Sequence, residues 1–293
     1  MRITVASGKG GTGKTTIATS LALSLVKNDP SLPLLFVDCD VEAPNAHIFL
    51  KPHLDQKQPV SILVPSVDSS RCNLSGKCAE VCVYHAIAVL GKKTLVFPQL
   101  CHGCGSCTAV CPEKAISETP FPIGRMEHGT TREGIDFWRG ILDIGQPMAV
   151  PIIRELQRHV SFQPGQVVIL DSPPGTSCPV VATMRGSDYL ILVTEPTPFG
   201  LHDLRLTIQV AEELDLPYGV IINRDGTPFQ EMESFLASRQ VPILLRIPFE
   251  RTIAEGIARG ETLEKINPMY QDFFIQVFHQ ILPLCNKINN EHT

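Results

Sequence analysis

Two groups of residues in this 293-residue chain have the types and spacing to do chemistry. The first is Gly8-Lys9-Gly10-Gly11-Thr12-Gly13-Lys14-Thr15, which fits G-x-x-x-x-G-K-[ST], follows a predicted strand and opens a helix, with Thr16 expected beside it among the nucleotide-binding residues. Glycines so placed let successive backbone N–H groups turn inward on phosphate oxygens, and the helix N-terminus adds the positive end of its dipole. Lys14 is expected to reach the β and γ phosphates of a nucleotide, with the Thr15 hydroxyl on Mg²⁺. A Gly-rich turn with a chance lysine is the bland alternative, and the strand-then-helix context weighs against it. Residues 167–171 form an apolar strand ending in Asp171, the arrangement that sets a carboxylate beside the metal at the edge of a parallel sheet.

The second group is cysteine. Cys101-x2-Cys104-x2-Cys107-x3-Cys111-Pro112 matches the bacterial ferredoxin run C-x2-C-x2-C-x3-C-P residue for residue. Zinc is the main competitor, but it uses two separated cysteine pairs rather than four cysteines in one run with a trailing proline. The spacing therefore predicts a 4Fe-4S cluster. An earlier stretch, Cys72-x2-Ser75-x2-Cys78-x3-Cys82-Val83, keeps the spacing but puts serine at the second position and lacks the proline. Ala86-Ile87 and Ala115-Ile116 follow the two runs at the same distance, so the halves resemble the duplicated fold of two-cluster ferredoxins. In that fold the fourth cysteine of each run ligates the other cluster. The resemblance implies one cluster on Cys101, Cys104, Cys107 and Cys82, and another on Cys72, Cys78 and Cys111 with Ser75 as a candidate fourth ligand. A serine hydroxyl ionises far less readily than a thiol of pKa ~8.5 and suits soft cluster iron poorly. The cluster beside Ser75 is thus expected to be 3Fe-4S or a labile 4Fe-4S, unless the first half is degenerate and holds none.

These groups need elements to position them. Short β-branched runs at 3–6, 34–38, 167–171, 189–194, 219–223 and 243–247 alternate with amphipathic helix-length segments, which predicts an α/β fold with a mostly parallel sheet flanked by helices. More than a hundred residues separate the second run from the third, far more than a crossover needs, and seven of the ten cysteines lie there. The expected organisation is one domain over residues 1–60 and 119–293, interrupted by a small α+β iron–sulfur insert at 61–118. A helix at 147–159 should return the chain to the sheet. With 25 basic and 30 acidic residues, composition gives no sign of the basic surface that nucleic-acid binding requires. No signal peptide or membrane span is evident, and C-x-x-C spacings fit a reducing, cytoplasmic setting. Cys39, Cys178 and Cys285 are isolated; Cys39 and Cys285 read as structural, as does Cys178 with a cluster shared between two subunits as its lesser alternative, and His85 and His102 read as surface neighbours of the cysteine loops.

Lys9 makes the phosphate loop unusual, since Lys14 alone serves a single site. Lys9-Gly10-Gly11-Thr12-Gly13-Lys14-Thr15 resembles the K-G-G-x-G-K-[ST] loop of the MinD/ParA/Mrp ATPases, in which the first lysine crosses a dimer interface to the partner's nucleotide. Asp38-Cys39-Asp40 is similar to that family's first switch, and Asp171 to Thr176 to its second; the resemblance covers the chain outside the insert. It implies that Asp40 positions the attacking water and that Asp38 supports Mg²⁺ through its water shell; a turn or helix-cap role is the plainer reading of Asp40. It also places Asn223, Arg224, Pro248 and Glu250 at adenine. The guanine-selecting Asn-Lys-x-Asp pattern is absent.

By this resemblance the chain is expected to be a Mg-ATP-dependent switch forming a homodimer, or a heterodimer with a related ATPase, coupled to an iron–sulfur redox module and an unknown protein partner. A cluster carrier of the Mrp type and an ATP-driven electron donor are the alternatives. Against the carrier, the C-terminal C-x-x-C of such proteins is missing, Cys285 standing alone. The apolar last helix, 270–284, carries almost no Lys or Arg and is expected to pack on the sheet rather than on a membrane.

Overall fold

The computed structural model describes residues 1–159, 165–226 and 228–291. The first part of the chain forms β1 (Arg2–Ala6), α1 (Lys14–Asn28), β2 (Leu34–Asp38), α2 (Ala46–Leu50) and the long strand β3 (His53–Val67). The cysteine-rich stretch contributes α3 (Lys77–Val81), the hairpin β4 (Ile87–Leu90) and β5 (Lys93–Val96), and α4 (Ser106–Ala109). A second long strand, β6 (Ile116–Thr130), leads back to β7 (Asp136–Leu142), α5 (Val150–His159), β8 (Val167–Asp171), α6 (Cys178–Met184), β9 (Tyr189–Thr194) and α7 (Pro198–Glu213). The chain closes with β10 (Tyr218–Asp225), α8 (Gln230–Ser238), β11 (Ile243–Pro248), α9 (Arg251–Ala258), α10 (Leu263–Ile266) and α11 (Met269–Glu291).

Among the described residues nine of these strands make one sheet, ordered β11-β10-β9-β1-β8-β2-β7-β6-β3, and β4 pairs with β5 alone. It is parallel from β11 to β7, and β6 and β3 extend it antiparallel. Helices cover both faces, which is why β1, β2, β8 and β9 read as continuous apolar runs instead of alternating. On one face Ile3, Phe36, Ile169 and Ile191 pack against Ile17 and Leu21 of α1 and Phe274, Val277 and Ile281 of α11. On the other, Leu190, Leu192, Val220 and Ile222 meet α6, α7 and α8. The last helix thus buries its apolar stripe in the core. No helix among the described residues is long and apolar enough to cross a membrane.

The six expected strands are present, and between the second and third lie three more strands of the same sheet, β3, β6 and β7, and the separate hairpin β4–β5. β7 lies beside β2, aligning Arg139 with Asp38, and β6 pairs with β7 only over residues 124–130. Beyond that, residues 61–67 and 116–122 form a two-stranded arm that leaves the sheet at a register shift between Val60 and Ser61. The cysteine segment sits at the arm's tip. Its root is anchored where Val60, Ile123 and Met126 pack on Ile152, Ile153 and Leu156 of α5. Glu127 on β6, only 2% exposed, is clamped there by Arg125, Arg139 and Lys57.

Candidate functional site

The loop between β1 and α1 lies at the carboxyl edge of the sheet, the place where open α/β sheets collect ligands. Its last glycine, Gly13, stands at the start of α1 with φ 93°, and a Cβ there would fall 2.4 Å from the Asn223 amide nitrogen. Only glycine fits both constraints. A cavity of about 420 Å³ opens above the loop, large enough for a small ligand. Gly10, Gly11, Gly13, Lys14, Thr15 and Thr16 line its floor, Asp40 one wall, and Arg224, Pro248 and Glu250 the far end. Asn45, Phe49, Pro174, Phe249 and Ile253 also line it. Phe249 is 71% exposed beside the cavity, an apolar ring that the strand-end sequence Pro248-Phe249-Glu250 brought within reach.

Two carboxylates, Asp171 and Asp40, act on Lys14, and a third, Asp38, neighbours both of them. Parallel pairing of β2 with β8 aligns Asp38 with Asp171, and both are fully buried. Burial pushes both carboxyls above their ordinary range, and for Asp38 the neighbouring Asp171 pushes further. The Thr15 hydroxyl and the Lys14 ammonium oppose the shift at Asp171. Burial in turn lowers Lys14, against the pull of Asp171 and Asp40. Thr15 Oγ1 donates to Asp171 Oδ2 at 2.5 Å, while Asp171 Oδ1 is buried with no hydrogen-bond partner. An orphaned anionic oxygen beside a hydroxyl fits a divalent cation with its water shell, the chemistry expected of Thr15 and Asp171. Asp38 is engaged differently: Oδ1 accepts the Asp40 N–H and Oδ2 the Ala46 N–H, so it braces the segment leading into α2. Asp40 is not the cap of α2, a position held by Asn45; its side chain faces the cavity, and burial raises its carboxyl.

Some predicted residues do not line the cavity. Gly8 packs against α7, where a Cβ would lie 2.4 Å from the Asp203 carbonyl oxygen. Thr12 is buried, and its carbonyl accepts a 2.7 Å hydrogen bond from the Asn223 amide, whose own oxygen accepts the Arg224 N–H. Asn223 therefore ties β10 to the loop as well as facing the cavity. Lys9 turns to Glu195, Nζ to Oε2 at 3.1 Å, and the other oxygen of Glu195 accepts from Arg224 Nη1 at 2.6 Å. Nothing local in the sequence marks Glu195. It becomes significant only because β1, β9 and β10 end side by side.

The cysteines fall around two separate cavities. Cys72, Ser75, Cys78 and Cys111 line the first; Cys82, Cys101, Cys104 and Cys107 line the second. Each set draws one cysteine from the opposite half. The duplication extends to the backbone, since Cys82 Sγ accepts the Ala86 N–H and Cys111 Sγ the Ala115 N–H, both at 3.3 Å. His85 and Lys114 both take positive φ at the matching turns. Burial raises Cys78, Cys101 and Cys107, whereas hydrogen bonding with Ser106 lowers Cys104. Among the described residues no three or more His, Cys, Asp or Glu side chains converge as ligands of a single ion. The His102 ring stacks on Tyr84 with centroids 3.5 Å apart, beside the second cavity. Cys39 and Cys285 are buried in the core, and Cys178 is exposed at the start of α6.

A glycine-rich loop between a central parallel strand and a helix, with an acidic strand end beside its Lys-Thr, defines the P-loop class of nucleotide-binding proteins. Within that class the chain belongs to the CobQ/CobB/MinD/ParA nucleotide-binding domain family, whose profile matches residues 3–263. It is 28% identical over 271 residues to an uncharacterized protein of Methanocaldococcus jannaschii, covering 92% of this chain and 93% of the relative. It is also 25% identical over 302 residues to an iron-sulfur cluster carrier protein of Methanococcus maripaludis, covering 98% and 86%. The fold is similar to that of the septum site-determining protein MinD complexed with Mg-ADP from Pyrococcus horikoshii, with a TM-score of 0.58, 19% identity, and 96% and 95% of the two chains covered.

Proposed function

We propose that this chain is a Mg-ATP-dependent dimerisation switch whose ATPase sheet carries a duplicated, ferredoxin-like iron–sulfur module. The observation that carries the reading is the crosswise parting of the cysteines into two cavities on an arm made from strands of the ATPase sheet itself. The strand that runs out into the arm also follows the nucleotide site closely in the chain, because only Lys51 and Pro52 separate α2 from the start of β3. A change at Asp40 that shifts α2 is thereby applied to the start of β3, the strand that continues into the arm.

In this reading Lys14 and the loop N–H groups hold the phosphates and neutralise their charge. Thr15 and Asp171 would hold Mg²⁺, which supplies further neutralisation of the triphosphate. Asp40 faces the cavity where a water attacking the γ phosphate must approach, and its raised carboxyl suits it to hold that water. Lys9 serves the partner's nucleotide. Cys82, Cys101, Cys104 and Cys107 would hold one 4Fe-4S cluster, and Cys72, Cys78 and Cys111, with Ser75 near, a 3Fe-4S or labile 4Fe-4S cluster; bound clusters supply one-electron redox chemistry. A cluster carrier is the second reading, supported by the carrier relative and opposed by the lone Cys285.

Size-exclusion chromatography with light scattering, on anaerobically reconstituted protein, tests the switch. A dimer with Mg-ATP and a monomer with Mg-ADP are expected, and Lys14→Ala should bind neither nucleotide and stay monomeric. Nucleotide binding by Lys14→Ala at wild-type affinity contradicts the loop assignment. Transfer of cluster to an apo-protein, without reduction of that protein, favours the carrier.

A further inference from the structure

We propose that Glu195 is a positioning residue that parks Lys9 within its own subunit, and that breaking this ion pair is a step in dimer closure. The inference rests on the dimer reading above. Glu195 follows β9 and is 8% exposed, with Lys9 on one carboxylate oxygen and Arg224 on the other. Lys9 does not line the cavity that Lys14 lines. Its backbone is also fixed, because the Ser7 hydroxyl donates to the Lys9 carbonyl at 2.6 Å and Gly8 is wedged against α7. Only the side chain is free to swing, and a lysine tail has the reach and flexibility to do so.

The second limb of the pair makes release feasible. Removing one partner of a buried charge pair is costly when it strands the other charge. Here Arg224 stays bound to Glu195 when Lys9 leaves, so the buried carboxylate keeps a counter-ion. Arg224 also lines the far end of the nucleotide cavity, so a nucleotide seated there touches the residue that shares Glu195 with Lys9. Glu195 thus opposes premature closure and links Lys9 release to occupancy of the site.

The test is dimerisation of Glu195→Gln, an isosteric change that removes the charge. Protein is titrated by analytical ultracentrifugation with Mg²⁺ and a saturating non-hydrolysable ATP analogue, after circular dichroism has established folding. Two pairs break per dimer, so an effect of about threefold per partly exposed pair becomes about tenfold on the dimer dissociation constant. Glu195→Gln should therefore dimerise about tenfold more tightly than wild type. Arg224→Gln, which cuts only the other limb, should not tighten dimerisation. A wild type that dimerises while Glu195→Gln is no tighter overturns this inference and leaves the switch standing. A variant that dimerises where wild type does not supports it, and failure of both to dimerise overturns the inference and the switch together. Equal tightening by Arg224→Gln also overturns it, since the effect would then run through the base end of the site.

Discussion

Asp38 Oδ1 accepts the backbone N–H of Asp40 at 3.1 Å, so a fully buried carboxylate fixes the backbone of the residue that faces the nucleotide cavity. The family resemblance assigns Asp38 to the water shell of Mg²⁺. Its two backbone partners give it a further task, holding the Asp40 segment and the start of α2 in one geometry.

The roles proposed for Lys9 and Asp40 separate closure from hydrolysis. Lys9→Ala should bind ATP with wild-type affinity yet remain monomeric, because the lysine proposed to serve the partner site is gone. Asp40→Ala should bind ATP, dimerise and persist as a dimer, with hydrolysis slowed by about a hundredfold or more, since positioning a water is worth that much. Size-exclusion chromatography with ATP and a phosphate-release assay check both variants. Identical elution of the two contradicts the division of roles.

Glu127 sits at the root of the arm, and its charge state has a predictable pH signature. Burial pushes its carboxyl up, but the hydrogen bonds from Arg125 and Arg139 outweigh burial and hold it at about 2. A carboxyl depressed in the folded state stabilises above its unfolded pKa of ~4.3, and that stability is lost as pH falls towards the folded value. Glu127→Gln should cost about 3 kcal/mol at pH 7, as removing one member of a buried ion cluster does. The difference from wild type should narrow between pH ~5 and pH ~3 in urea denaturation. A gap that does not change with pH would mean that the residue acts through packing alone.

Ser75 lines the first cysteine cavity with Cys72, Cys78 and Cys111. Anaerobic reconstitution should yield about seven or eight irons per chain, and Ser75→Cys should protect the first cluster from air without altering the second. About four irons would leave only the second cavity loaded. An unchanged EPR spectrum and iron content in Ser75→Cys would show that residue 75 does not face a cluster.

Much of this architecture was legible in residue order. The buried parallel strands announce themselves as apolar runs, and the phosphate loop and second cysteine run have spacings tied to one chemistry each. β3 and β6 were hidden because they carry Pro59 and Pro65, and Pro120 and Pro122, which argue against strand. β3 tolerates its prolines as the sheet's edge strand, and Pro120 and Pro122 lie in the arm, where β6 has β3 on one side and no β7 on the other. Asp171 and Thr15 could be paired in advance because a known motif pairs them. Glu195 could not, since its partners are 186 and 29 positions away by the numbering of Lys9, Glu195 and Arg224 and meet only through the order of three strand ends.

The coupling of the two halves is the centre of this account, and a potentiometric titration followed by EPR tests it most directly. Reconstituted protein is titrated with Mg²⁺ plus a non-hydrolysable ATP analogue and, separately, with Mg-ADP. If nucleotide state reaches the clusters through α2 and the arm, the midpoint potential must differ between the two, and linkage requires reduction to change ATP affinity by the same factor. A tenfold coupling corresponds to ~59 mV for a one-electron couple. A shift of that order is the predicted result; superimposable titrations on protein that dimerises normally with ATP would contradict the coupling.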